Sequence, residues 1–341
     1  MKNFIFFRTD RLGDFLIITN IIKALKEKYP KSKITVVASQ LNYLFIKKYK
    51  IIDRVILYNK NYNLLKKIQI FKIINDRNYD ASFSVDGKSF SNLCSFFLKS
   101  KLKLGLIYKY KIFGVPFYKP NLFFKIIFKY YETFTSKENL DKIEHLPSKL
   151  INLANKLSLK IKVKDRYFYK PSINKKNFKK KLGKFVKKKF ILIHLDEKWL
   201  DIDDIKENLY EELLVLQKKI KKKIVVTSFN NSFDYFTNLK KKLKKGKNKN
   251  IILCENQNLE IMERMINYSQ FAVSCHSGYL VQVCGSNKSK IIDIINKKDL
   301  IWYSCWLPKN TFHKFVFKST QKGTLKLKKI LFDVFKIIKN K

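Results

Sequence analysis

The chain has 341 residues, of which 46% are hydrophobic and 15% aromatic, so it can form two folded domains and is too apolar to be disordered. Its 73 lysines and arginines against 27 acids give a formal charge of +46, yet only six of the basic residues are arginine. Arginine makes the bidentate hydrogen bonds by which proteins recognise bases. Its scarcity therefore argues against a sequence-specific nucleic-acid-binding protein. Two explanations of the lysine excess stay open: codon bias in an AT-rich genome, and a surface that contacts an anionic membrane.

Cysteine and histidine usage points to a reducing compartment. The five cysteines form no CxxC pair, and none of the four histidines has a metal-ligand spacing, so neither a disulfide framework nor a zinc site is predicted. The N-terminal apolar run is too short for a signal peptide, and no stretch approaches the length of a membrane span. We therefore expect a cytoplasmic protein.

Apolar runs alternate with amphipathic segments along the first half of the chain. The run at residues 3–7 is typical of a strand buried on both faces of a parallel sheet, and Pro30 ends the helix that follows it. Further strands are predicted at 34–38, 55–57 and 81–85, with helices at 64–74, from 89 and at 143–159. Residues 100–140, which contain several Gly and Pro, are expected to be irregular.

The same alternation begins again after a lysine-dense linker at residues 160–189. Strands are predicted at 190–194, 224–227, 251–253, 271–274 and 290–295, with helices at 207–220, 233–243, 258–267, from 278 and at 324–338. The predicted fold class is α/β: two Rossmann-like doubly wound domains, residues 1–165 and 166–341, facing a cleft. The last helix, 324–338, is expected to pack back on the first domain.

The first candidate site is the turn Arg-Thr-Asp-Arg-Leu-Gly-Asp at residues 8–14, between the first strand and its helix. Arg11 and Gly13 are candidate phosphate or turn residues, because a glycine lets a ligand approach the backbone closely. Asp14 has two interpretations: a cap for the helix amides, and a general base at the edge of the cleft. No GxGxxG motif is present, so the usual dinucleotide fingerprint is missing.

Two further candidates follow strands of the second domain. Lys198 comes after the strand 190–194, where it is either a point charge for a diphosphate or one more solvated lysine. The turn that contains His276, Ser277 and Gly278 follows the strand 271–274 and opens a helix. Free backbone amides at such a turn form a ready anion site.

Together these motifs resemble, in order and spacing, the heptosyltransferase-like glycosyltransferases, family nine of the inverting enzymes, which have the two-domain GT-B architecture. The matching stretches are residues 8–14, Asn78-Tyr79-Asp80 with Asp86-Gly87, Glu144-His145, Lys198-Trp199 and 258–278. The resemblance spans most of the chain, although each motif is short.

The resemblance implies a role for each matching residue. Asp14 corresponds to the general base that deprotonates the acceptor hydroxyl. Lys198 and the turn at Ser277 and Gly278 correspond to the groups that hold the donor diphosphate, with no metal. We expect His276 to add a donor contact, and we place the nucleotide base near the side chains of Gln257 and Asn258 on position alone.

Three positions depart from the family pattern, all on the donor side. The family has Asp where this chain has His276, and His where it has Val281. The Gly-Pro-Thr loop of the family is replaced by Asn-Lys-Lys at 296–298. These departures leave the donor sugar open.

The predicted activity is metal-independent, inverting transfer of a heptose or similar sugar from a nucleotide-diphosphate donor, with ADP-heptose the first candidate. The expected acceptor is the lipopolysaccharide core or another lipid-linked surface glycan. We expect a monomer, without cofactor or nucleic acid, peripheral on the inner face of the membrane. Contact there is predicted through residues 123–131, with Phe123, Phe124 and Phe128 inserting, and through 175–189.

Two other function classes remain. A catalytically silent protein with the same fold is compatible with the donor-side departures. A basic nucleic-acid-binding protein requires Lys and aromatic residues clustered on one face, whereas Lys is spread along nearly the whole chain.

Overall fold

The structure is a computed structural model, and it describes residues 1–112, 115–119, 123–134, 143–162, 190–229, 233–246, 248–286, 289–309, 311–320 and 323–341. The chain divides into two units. Unit 1 consists of Met1–Tyr169 and Ile301–Leu307, and unit 2 consists of Lys170–Leu300 and Pro308–Lys341. The chain therefore passes from one unit to the other three times. Each unit has its own sheet and is described by itself.

The first part of unit 1, up to residue 162, contains seven strands and six helices among its described residues. The strands are β1 (Asn3–Arg8), β2 (Lys33–Ser39), β3 (Arg54–Tyr58), β4 (Tyr79–Ser84), β5 (Ser100–Ile112), β6 (Val115–Lys119) and β7 (Tyr130–Phe134). The helices are α1 (Leu12–Lys28), α2 (Tyr43–Lys47), α3 (Leu64–Ile74), α4 (Ser89–Phe97), α5 (Phe123–Ile127) and α6 (Leu146–Asn155).

The sheet of unit 1 is doubly wound. Its order is β3-β2-β1-β4-β5-β6, with β7 also paired to β5, and only β6 is antiparallel to its neighbour. From β1 the chain first builds outward to β2 and β3, and then returns to place β4 on the other side of β1. The loops after β1 and β4 therefore meet at the switch point, where such sheets bind ligands.

The stretch at residues 100–134 differs from the irregular structure predicted for it. It forms the long strand β5 and two further strands that pair with it. Gly105 is needed inside β5, because a Cβ there would lie 2.4 Å from the ring of Phe128. Phe128 is thus buried on the sheet, with 3% of its surface exposed, and the prediction that it inserts into a membrane is wrong. The segment 175–189 lies outside the described residues.

Unit 2 repeats the same architecture. Its strands are β8 (Phe190–Leu195), β9 (Ile224–Ser228), β10 (Ile251–Glu255), β11 (Ser269–Ser274), β12 (Lys290–Asn296), β13 (His313–Thr320) and β14 (Gly323–Thr324). Its helices are α7 (Ile205–Ile220), α8 (Asp234–Lys245), α9 (Leu259–Tyr268), α10 (Gly278–Ser286) and α12 (Leu327–Lys339), while α11 (Leu300–Ser304) enters unit 1. The sheet order is β10-β9-β8-β11-β12-β13-β14, and only the β13–β14 pair is antiparallel.

The last helix, α12, packs within unit 2. Its apolar side, which includes Leu327, Ile330 and Val334, is buried in the core that α7 also covers. The segment Ile301–Leu307 belongs to unit 1. There the amide of Leu146 donates to the carbonyl of Cys305 at 2.9 Å.

No described helix is both long and apolar enough to cross a membrane. All five cysteines are free, and four of them are buried.

Candidate functional site

Each unit brings two loops together at its switch point. In unit 1 these loops follow β1 and β4, and in unit 2 they follow β8 and β11. The sequence candidates at residues 8–14, at 198 and at 276–278 all lie on these loops or on the helix turns that continue them. The positions singled out from the sequence are therefore the positions where this fold collects ligand-binding groups.

Arg8 holds the loops of unit 1 together. Its side chain is fully buried, and it donates from Nε to the carbonyl of Asp14 at 2.8 Å and from Nη1 to the carbonyl of Val85 at 2.6 Å. Nη1 also lies 3.3 Å from Oδ2 of Asp10. The guanidinium thus fixes the end of β1, the first turn of α1 and the loop after β4 relative to one another.

Asp14 is both a capping residue and an accessible carboxylate. Its Oδ2 accepts a hydrogen bond from the amide of Arg11 at 3.1 Å, at the start of α1. Its Oδ1 lies 3.8 Å from Nη2 of Arg8, and 24% of the side-chain surface is exposed. The capping interpretation therefore holds, and one oxygen is still oriented by a cation in a position that a ligand can reach.

Asp10, to which the sequence analysis gave no role, is a second carboxyl on this loop. Burial raises the pKa of Asp10, and Asp14 and Asp86 raise it further, while the charge of Arg8 opposes them. Its Oδ1 is buried and has no hydrogen-bond partner among the described residues. In the sequence, the only indication of a role for Asp10 was its position shortly after a buried strand.

Contacts within unit 1 explain why Asp and Gly occupy positions 86 and 87. Oδ2 of Asp86 accepts hydrogen bonds from the amide and hydroxyl of Thr9, at 3.1 and 2.7 Å, and from the hydroxyl of Ser91 at 2.8 Å. Gly87 has a φ of +64°, and a Cβ there would lie 1.9 Å from the ring of Tyr108. The pair thus connects the two loops.

In unit 2, a short 3₁₀ helix (Glu197–Asp201) positions Lys198. Asp196 caps it by accepting from the amide of Lys198 at 3.1 Å, and burial raises the pKa of Asp196 to about 6. Trp199 is fully buried and donates from its indole to the carbonyl of His194 at 2.9 Å. Nζ of Lys198 then donates to the carbonyl of His276 at 2.6 Å. Two of the predicted donor-side residues are thereby brought into contact.

His276 is held by an acid that the sequence analysis missed. Its Nδ1 lies 2.6 Å from Oδ2 of Asp293 in β12, and Nε2 of His313 in β13 lies 3.4 Å from the same oxygen. Asp293 is fully buried, and burial alone would raise its pKa, but His276 and His313 lower it overall. The sequence held one indication of this role: Asp293 is the single acid in the strand Lys-Ile-Ile-Asp-Ile-Ile-Asn, where it is flanked by isoleucines on both sides.

The turn at Ser277 and Gly278 opens α10 as predicted. His276 has a φ of +47°, a left-handed conformation that turns the chain into the helix. A Cβ on Gly278 would have no atom within 4 Å, so the space beside this first turn is open. The amide of Ser277 donates to the hydroxyl of Ser274 at 3.2 Å. The N-terminal end of α10 and the ammonium of Lys198 together make this end of unit 2 suited to an anion. Val281, where the family has His, is buried in α10 with 1% of its surface exposed.

Gln257 and Asn258 have local roles in the described structure. The amide of Gln257 donates to the carbonyl of Glu255 at 2.6 Å, and Oδ1 of Asn258 caps α9 by accepting from Ile261 at 2.9 Å. A better platform for a base is Phe229, which directly follows β9 and is 41% exposed. Its ring lies 6.4 Å from that of Tyr279 in the first turn of α10.

No group of three or more His, Cys, Asp or Glu in the described part of the chain is arranged to hold a metal ion.

The two Rossmann-like units define the chain as an α/β protein of the predicted fold class. Over 99% of both chains it is similar to the E. coli heptosyltransferase WaaC with ADP, at 14% identity and a TM-score of 0.65. A family 9 glycosyl transferase from Veillonella parvula matches 99% of this chain and 88% of its own, at 13% identity and a TM-score of 0.65. The UDP-GlcNAc 2-epimerase from Neisseria meningitidis bound to UDP-GlcNAc matches 99% and 92%, at 15% identity and 0.56.

No known family model matches the sequence, and no curated protein matches it. The structural likeness confirms the predicted GT-B-type fold. The similar structures include a heptosyltransferase and a family 9 glycosyl transferase, which are members of the group that the sequence motifs resemble.

Proposed function

We propose that the protein is a glycosyltransferase that moves a sugar from a nucleotide-diphosphate donor to a hydroxyl acceptor with inversion. The observation that carries this proposal is the contact between Lys198 and the turn that opens α10, which puts a cation beside the N-terminal end of a helix within one Rossmann-like unit. The likeness to heptosyltransferase structures supports the same activity.

The donor diphosphate is assigned to unit 2. The leaving diphosphate gains negative charge as the bond to the sugar breaks, so fixed positive groups stabilise the transition state most. Lys198 and the N-terminal end of α10 at Gly278 supply that charge, and the imidazole of His276 adds a donor. The amide of Ser277 would have to exchange its hydrogen bond to the hydroxyl of Ser274 for one to the diphosphate. Phe229 offers its exposed ring to the nucleotide base.

The acceptor is assigned to unit 1, with Asp14 as the general base. Asp14 takes the proton of the acceptor hydroxyl as that oxygen bonds to the anomeric carbon. The bond from that carbon to the diphosphate oxygen breaks, and the diphosphate leaves with the electron pair. Because attack and departure take place on opposite sides of the carbon, the configuration inverts. Arg8 orients the carboxylate, and Arg11 and Gly13 shape the turn beside it.

The most suitable substrates are a heptose or similar sugar on ADP and a lipid-linked surface glycan, such as a lipopolysaccharide core. A monomeric enzyme bound peripherally to an anionic membrane would meet such an acceptor. The catalytically silent alternative is less well supported, because the Lys198 contact and the open helix turn are both present despite the His276 and Val281 departures.

Thermal-shift measurements with ADP-, UDP- and GDP-linked sugars test the donor site, since a ligand of the native state raises the melting temperature. We expect one nucleotide class to stabilise the wild type and the matched control Lys241→Gln, an exposed lysine of α8. Lys198→Gln should respond much less. Equal responses by both variants, or none from any sugar nucleotide, would remove the proposed donor site. Transfer should also persist in EDTA, because Lys198 and the amides supply the charge.

A further inference from the structure

Two neighbouring helices of unit 1 expose large apolar side chains. On α3, Leu64 and Leu65 are each 72% exposed, and on α4, Leu93 and Phe97 are 52% and 59% exposed. The ring of Phe71 in α3 lies 6.0 Å from that of Phe97, so the two helices are in contact. Their outward sides form one surface, here called the apolar face, which consists of Leu64, Leu65, Ile68, Ile73, Leu93, Phe96 and Phe97.

The apolar face is additional to the packing that the fold requires. Ile70 and Ile74 of α3 and Cys94 of α4 already bury the inner sides of these helices on the sheet. No other helix exposes more than one large apolar residue among the side chains described. Those single residues are Leu44, Ile126, Leu200, Val215, Tyr268, Trp302 and Phe332. Scattered exposed residues of that kind are normal, whereas a contiguous patch marks an interaction surface.

The chain around the apolar face is cationic and lacks acids. Residues 54–75 contain four lysines and residues 87–131 contain nine, and neither stretch contains Asp or Glu. Lys66 and Lys72 are exposed on α3 itself. Nζ of Lys103 donates to the carbonyl of Phe96 at 2.6 Å, at the end of α4. The nearest acid along the chain after α3, Asp76, is paired with Arg54 at 2.9 Å.

Lysine by itself says little in this chain, because it is abundant everywhere. The outer helices of unit 2 are also lysine-rich, but each exposes at most one large apolar residue among its described side chains. What distinguishes α3 and α4 is the combination of exposed Leu, Ile and Phe with flanking lysines and no acid. Such a surface matches the boundary between acyl chains and anionic headgroups, where apolar side chains insert and lysine ammoniums reach phosphates.

We propose that the apolar face docks unit 1 on a bilayer that contains anionic phospholipid. The proposal deepens the proposed function by naming the surface at which the enzyme meets a lipid-linked acceptor. It names a surface other than the predicted segment 123–131, of which Phe128 is buried and the side chains of Phe123 and Phe124 lie outside those described. Vesicle binding needs neither donor nor acceptor, so its result is independent of the glycosyltransferase assignment.

The test is co-sedimentation of the full chain with phosphatidylglycerol/phosphatidylethanolamine vesicles and with phosphatidylcholine vesicles, across a salt series. Coulomb attraction is nearly screened at about 1 M salt, where the Debye length is ~3 Å. The wild type should therefore prefer the anionic vesicles and keep a salt-resistant fraction bound through inserted apolar groups. Leu65→Gln with Phe97→Gln should lower the salt-resistant partition coefficient about tenfold.

Val215→Gln with Phe332→Gln is the matched control, because both residues are exposed apolar positions on unit 2 helices. It should bind vesicles as the wild type does, and urea unfolding of both variants verifies that they are folded. Equal loss in both variants, or binding that disappears entirely at high salt in the wild type, would overturn the proposal. One further result would overturn it: the wild type is a dimer, the Leu65/Phe97 variant is a monomer, and neither binds vesicles. The apolar face would then be covered by a second copy of the chain.

Discussion

At the scale of single residues, Asp14 combines two tasks that substitution can separate. Its Oδ2 caps α1 through the amide of Arg11, its Oδ1 lies near the guanidinium of Arg8, and the side chain as a whole is partly exposed. The cap needs only an acceptor oxygen, whereas the proposed chemistry needs a group that takes a proton.

We expect Asp14→Asn to reduce transfer about 100-fold or more while changing the free energy of unfolding by less than about 1 kcal/mol, because an amide oxygen still caps but is not a base. Turnover and urea unfolding measure the two effects, and donor-induced thermal shifts should be unchanged. Wild-type turnover by the variant would leave Asp14 as a cap alone.

The buried Asp293 gives a second prediction at this scale. Asp293→Asn should destabilise the protein by about 1–3 kcal/mol, because it removes a charged hydrogen-bond partner from the core. His276→Asn is the companion variant, since asparagine tolerates a left-handed backbone. If the two residues act as a pair, their double-mutant cycle by urea unfolding should give a coupling of about 0.5–3 kcal/mol. Strict additivity would show that the Asp293 contact does not hold His276.

These residues also show how far sequence reasoning reaches. Lys198, Ser277 and Gly278 were found because they directly follow apolar strands, and the carboxyl ends of parallel strands meet at one edge. Asp293 was missed because its partner His276 lies on a loop 17 positions earlier, so nothing local indicates the contact. The left-handed backbone of His276 was equally invisible, since histidine does not favour it.

At the scale of elements, α9 carries a buried acid on an otherwise amphipathic helix. Glu263 is 4% exposed, and its Oε2 has no hydrogen-bond partner among the described residues. Burial raises the pKa of Glu263 from its ordinary 4.5 to about 8. The folded state therefore binds this proton more tightly than the unfolded state does, so stability falls as pH rises from about 4.5 to about 8.

Glu263→Gln should remove that pH dependence and raise the free energy of unfolding by about 1–4 kcal/mol near pH 9 relative to the wild type. Near pH 5 the two proteins should differ little. Urea unfolding at both pH values measures the effect, with Glu211→Gln on the exposed side of α7 as control. A constant difference between wild type and variant at both pH values would contradict the assignment.

Most elements were predictable because buried parallel strands form continuous apolar runs and their helices repeat every three to four residues. The region of β5–β7 was not, because its glycine and prolines suggested loops. The glycine there serves close packing: Gly105 leaves room for Phe128, a contact between residues distant in sequence. Local patterns do not encode such contacts.

At the scale of the whole molecule, unit 1 is completed by a segment far along the chain. The ring of Phe134 lies 6.4 Å from each of Trp302 and Trp306, and Nε2 of His145 lies 2.6 Å from the carbonyl of Leu307. We expect a fragment of residues 1–169 to unfold at a lower urea concentration than the same fragment joined through a flexible linker to residues 301–307, because the first exposes these partners. Identical unfolding midpoints would show that the segment adds nothing to unit 1.

The three crossings between the units also constrain protein engineering. A chimera that joins two proteins of this fold at the central linker alone would give unit 1 of one parent the 301–307 segment of the other. Phe134 and His145 would then contact a 301–307 segment from the other parent, even when both parents are stable. Exchange of unit 2 between relatives therefore needs three junctions, near 169/170, 300/301 and 307/308, so that the segment is inherited together with unit 1.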